Sequence, residues 1–169
     1  MKEILFIIFC VPCFCFGQKL EENKVDEFTK AFVKRTSWET INFSNNFLAY
    51  SRISKIDNIY YLDVKVTLSD AVFSIEKDDK LMIKTVTDSI ITIFNLKYQI
   101  SCTGCGAKGL IGSGLEGIEV SYPIPSEMVL YLLTNKIKAL RLYTTDGYVE
   151  HDIKDKNAQT FIKQLKLVN

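Results

Sequence analysis

Ile59-Tyr60-Tyr61-Leu62-Asp63-Val64-Lys65-Val66-Thr67-Leu68 alternates with a period of two. Tyr60, Leu62, Val64, Val66 and Leu68 fall on one face of an extended chain, and Tyr61, Asp63, Lys65 and Thr67 on the other. Successive side chains of a strand point to opposite faces, so one apolar row and one polar row define a half-buried antiparallel strand. On this reading Asp63 belongs to a solvated face beside Tyr61 and Lys65. Asp57 and Asp70 lie near it in sequence without the arrangement of a catalytic acid pair.

The same pattern extends outward in short pieces. Upstream, Gln18 to Asn23 reads as a loose polar leader, and strand character begins at Val25. The segment Val33 to Ile41 carries Trp38, the sole tryptophan, as an anchor in the core or on a sheet face. Asn45-Asn46 marks a turn into a strand holding Phe47, Ala49 and Arg52. Downstream, Ala71 to Ile75 is a short apolar strand and Glu76-Lys77-Asp78-Asp79-Lys80 a charged turn. Leu81 to Val86 and Ser89 to Leu96 form a hairpin about Thr87-Asp88, and Tyr98 to Cys102 continues as strand.

Gly117 to Tyr122 reads as a strand ended by Pro123. Ser126, as N-cap, starts a short helix over about 126–134 that is apolar nearly all round and therefore buried. Asp146-Gly147 between two strand runs is a two-residue hairpin turn. Its register sets Arg141 against Asp152, Tyr143 against Glu150, and His151 on the core face against Leu142. Asp155 caps a C-terminal amphipathic helix over about 155–167, with Ala158, Phe161, Ile162 and Leu165 inward. The class is α+β: a single domain over 18–169, a mostly antiparallel β-sheet with helices packed on one side.

The chain's beginning reads differently. Ile4 to Phe9 is apolar, Pro12 breaks the run, and Cys15-Phe16-Gly17 places small residues for cleavage before Gln18. That is the layout of a signal peptide over 1–17, so a periplasmic or secreted domain is expected. The formal net charge is +1, which gives no electrostatic case for nucleic acid or an anionic membrane. No later apolar run is long enough for a membrane span.

Two of the five cysteines, Cys102 and Cys105, lie beyond the signal segment, at the mouth of a window from Gly104 to Gly117 that holds six of the eight glycines. In an oxidising compartment the pair reads as a disulfide that fixes a local turn. Buried thiols acting as small apolar groups are a second reading. A third is a redox pair with Cys102 as nucleophile, although the following glycines offer no helix to lower a thiol pKa. Zinc is the fourth, and it lacks further good ligands, since His151 is the only histidine. Gly104, Gly106 and Gly109 also spell a dinucleotide fingerprint, but the glycines that follow deny it the helix it needs. The sequence calls for no cofactor and no metal. No nucleophile has an evident base, so the chain reads as non-catalytic. Tyr61, Tyr143 and Tyr148 are the candidate binding surface, on outward strand faces.

Ala71-Val72-Phe73-Ser74-Ile75, the block Ser101-Cys102-Thr103-Gly104-Cys105-Gly106-Ala107-Lys108-Gly109, Val120-Ser121-Tyr122-Pro123 and Leu142 to Tyr148 together resemble small exported bacterial proteins of unassigned function. The resemblance implies export and a single domain, and no activity or ligand. The expected function is binding of a protein or cell-envelope partner, with thiol–disulfide redox chemistry as the alternative.

Overall fold

The computed structural model describes residues 19–44, 47–68, 72–105 and 115–169. The expected signal segment, the turn at Asn45-Asn46, Asp70 and the glycine-rich residues 106–114 lie outside the described residues. In chain order come β1 (Leu20–Val25), β2 (Phe32–Thr36), β3 (Glu39–Ser44), β4 (Phe47–Ile56) and β5 (Ile59–Leu68). Next are β6 (Ser74–Ile75), β7 (Lys80–Thr85), β8 (Ile90–Phe94), β9 (Gln99–Ile100), β10 (Cys102–Thr103) and β11 (Glu116–Ile124). The helix α1 (Ser126–Thr134), the hairpin β12 (Ile137–Thr144) and β13 (Gly147–Asp152), and α2 (Asp155–Val168) follow.

The antiparallel α+β architecture expected from the sequence is present. One sheet runs β1-β2-β4-β5-β11-β10, with β3 also paired to β4; a second runs β13-β12-β7-β8; β6 and β9 form a small ribbon. The strand with the clearest alternation, β5, is central, flanked by β4 and β11. Its apolar row meets Ile53 and Ala49 of β4 and Ile118, Val120 and Tyr122 of β11 on one buried face. That face packs against Leu81, Ile83 and Leu142 of the second sheet and against α2 in a single core.

Several local expectations are corrected. The leader is strand from Leu20, because its backbone pairs with β2 and its Glu and Lys side chains keep that edge wet. Strand β11 continues through Pro123, which faces Tyr61; β10 pairs only with Glu116 and Gly117, so the missing N–H falls on an open edge. Helix α1 spans the expected residues, but Ser126 is its first helical residue after Pro125 and makes no cap bond. Leu130 is 61% exposed, so that helix is not buried all round. Asp155 does not cap α2; Lys154 holds that position, and Asp155 accepts from Lys136 Nζ at 2.7 Å and Gln159 Nε2 at 2.6 Å.

The final hairpin keeps its faces but slides by two residues. Thr144 pairs with Gly147, Tyr143 with Tyr148, Arg141 with Glu150 and Leu140 with His151. Gly147 alone takes positive φ, at 115°, while Asp146 does not, so the turn lies at Thr145-Asp146 and the glycine opens the returning strand. Burial lowers the His151 pKa from its ordinary value, with Asp152 opposing.

Val33 to Ile41 runs from β2 into β3. Arg35 faces Ser54 and Glu39 faces Ser51, so three residues of one strand oppose two of β4. That is a β-bulge, a device that re-aims side chains. Thr36 stays inward at 0% exposure and its hydroxyl accepts from Ile53 N at 3.0 Å, while Trp38 turns to the opposite face.

Candidate functional site

The polar face of β5 is not solvated. Asp63 is 4% exposed, Lys65 5% and Thr67 1%. Side chains from neighbouring strands account for this. Asp63 Oδ2 accepts from Arg52 Nε at 2.8 Å and Ser54 Oγ at 2.6 Å, and Oδ1 from Ser121 Oγ at 2.5 Å. Arg52 reaches on to Glu119 at 3.2 Å, and Lys65 approaches the same carboxylate at 3.4 Å. Trp38, turned out by the bulge, stacks on both cations: Arg52 Cζ lies 4.3 Å from its ring centroid and Lys65 Nζ 4.0 Å. Desolvated cation–π contacts of this kind contribute about 2 kcal/mol each.

Cys102 and Cys105 are joined in a disulfide, with Cα atoms 5.2 Å apart. Cys102 lies on edge strand β10, exposed, and Cys105 follows in a turn. No described helix begins at either sulfur. The turn folds over Gly117: a Cβ there would stand 1.6 Å from the Cys105 carbonyl oxygen. Gly117→Ala is therefore expected to displace the turn and destabilise the domain by about 1–3 kcal/mol in urea unfolding. The loss should shrink in a Cys102→Ser, Cys105→Ser background, where the turn is free to move. Wild-type stability for Gly117→Ala would contradict this packing.

Between the turn and the charged face lies an open cleft of about 600 Å³. Its walls include Trp38, Arg52, Lys65, Gln99, Ile100 and Glu119, with both cysteines. Periodicity within one segment does not reveal the union of Trp38 with Asp63, because Arg52, Ser54, Glu119 and Ser121 come from other strands. Among the described residues no group of His, Cys, Asp and Glu side chains is arranged to hold a metal.

The three tyrosines do not form one surface. Tyr61 shares the outer face of the larger sheet with Asp63. Tyr143 and Tyr148 lie on the outer face of the smaller sheet, on the far side of the core, with ring centroids 5.7 Å apart. Arg141 covers Tyr148 at 4.4 Å and Lys80 reaches Tyr143 at 5.7 Å. Register places Phe94 beside Lys80, and Phe94, Ile90 and Tyr148 are about half exposed.

Compared with protein-family models, with curated proteins and with solved structures, the chain matches none of them. None of the described helices is long and apolar enough to cross a membrane.

Proposed function

We propose that the chain is an exported, non-catalytic domain that binds a protein or cell-envelope partner through the outer face of its four-stranded sheet. The observation that carries this reading is the row Phe94, Lys80, Tyr143 and Tyr148, which runs across all four strands. Aromatic side chains held by cations offer rigid amphipathic area at low entropic cost, a composition enriched where surfaces are recognised. Exposed Ile90 widens the apolar patch, and Glu150 and Arg141 give it a polar rim. Export rests on the layout of residues 1–17, and the disulfide is compatible with it.

A photo-crosslinking residue at Tyr148 in the exporting host is expected to give one discrete adduct, and the same residue at Tyr61 none. Arg141→Glu should abolish the adduct. No adduct at Tyr148, or one indifferent to Arg141→Glu, would remove this face from the proposal. Intact mass of the recovered protein should begin at Gln18; retention of Met1 would overturn export.

Exposure of Cys102 favours a second reading, thiol–disulfide exchange with Cys102 as nucleophile. It requires a reduction potential well above the value of about −300 mV below which structural bridges lie. A more negative potential excludes it.

A further inference from the structure

The orphaned polar atoms of this fold are not scattered. Among the described residues, four buried side-chain atoms lack a hydrogen-bond partner: Trp38 Nε1, Gln99 Oε1, Thr67 Oγ1 and the Tyr122 hydroxyl. Tyr122 belongs to the inner face. Trp38 and Gln99 both line the cleft beside the disulfide, and Thr67 lies under it, opposite Gly117. A buried donor or acceptor without a partner costs about 1–3 kcal/mol. The lining of the cleft thus includes a residue with an unmatched donor and a residue with an unmatched acceptor.

We propose that this cleft is a binding site for a neutral saccharide. Its volume of about 600 Å³ falls in the range of small-molecule sites. The charges of its walls are already matched: Arg52 with Asp63 and Glu119, Lys65 with Glu119, and both cations with the Trp38 ring. An incoming anion would have to compete with those carboxylates. A hydroxyl needs no counter-charge and can both accept and donate, so the hydroxyls of one sugar can meet an indole N–H and an amide oxygen. Ile100, 56% exposed, supplies apolar area for the C–H face of a sugar.

Both orphan atoms are closed to solvent in this arrangement, while their residues line the cleft. Binding on this proposal requires each side chain to turn its polar atom toward the cavity, which relieves the desolvation it carries unliganded. The cleft thus carries buried polar groups whose pairing a ligand completes.

Trp38 is the sole tryptophan, so the single indole N–H resonance of the full chain reports on the cleft directly. The probes are chitotriose and maltotriose, with N-acetyl-alanine amide as the peptide control and sodium acetate as the anion control. A saturable shift of the indole resonance with one of the saccharides is expected, and none with either control. Gln99→Leu should weaken that binding at least about tenfold, one lost hydrogen bond to a buried group. Trp38→Phe keeps a ring beneath Arg52 and Lys65 but deletes the orphan donor. It should abolish the saccharide-dependent rise in Tm, measured against the unliganded variant itself. No shift with either saccharide up to about 10 mM overturns the proposal. So does a response to either control, or unchanged binding in both variants. The site is independent of the Tyr148 face, so loss of the crosslink there leaves it standing.

Discussion

Asp63→Ala is expected to lower the unfolding free energy by about 3 kcal/mol, seen as a lower urea midpoint with unchanged slope. The carboxylate ties three strands together: Arg52 and Ser54 from β4, and Ser121 from β11. Its removal leaves the Arg52 guanidinium, with a side chain only 17% exposed, facing the distal Glu119 alone. Two hydroxyls lose their acceptor in the same step. Most of the loss comes from stranding the cation rather than from the worth of the pair. Arg52→Met combined with Asp63→Leu should therefore recover a large part of it. A change within about 0.5 kcal/mol for Asp63→Ala, the scale of an ordinary surface substitution, would show that the carboxylate is not held in this network.

Gln164 provides the second large effect. It is 0% exposed on the apolar face of α2. Its Nε2 donates toward the Ser37 carbonyl at 2.9 Å, the Ser51 carbonyl at 3.0 Å and Thr36 Oγ1 at 3.2 Å, and Oε1 accepts from Ser51 Oγ at 3.1 Å. One amide thus pins the helix to both sides of the bulge. Gln164→Leu should cost about 2–3 kcal/mol, since the Ser51 hydroxyl and two carbonyls remain buried without it. Gln164→Glu should be worse at pH 7, because a carboxylate there faces two carbonyl oxygens and has no proton to give. The gap between the two variants should narrow at pH 5, as protonation restores a donor. Equal stability of Gln164→Leu and wild type, or of the Leu and Glu variants at pH 7, would contradict this geometry.

What was legible in the sequence was local periodicity. β5, the β7–β8 hairpin and α2 each carry their pattern within one segment, and each folds where that pattern puts it. What was not legible depends on partners far away in the chain. Asp63 looked solvated because half of a sheet's environment is set by what covers it, and Trp38 arrives there only through a one-residue bulge. The last hairpin slid by two because such a shift preserves both faces, so alternation alone could not choose between the registers. Gln164 did leave a signal, a polar residue three positions after Phe161 in the apolar stripe, where a water-facing side chain has no place.

The bond between Gln164 and Thr36 joins residues 128 apart in the chain. At synthesis rates of 5–20 residues per second, roughly 6–25 s separate the appearance of the two partners. From the completion of β5 at Leu68 onward, the inner row of β4 and β5, with Ile53, Leu62 and Val64, has been made while the helix that covers it has not. That apolar row therefore stays without its cover until α2 has emerged and closed over it.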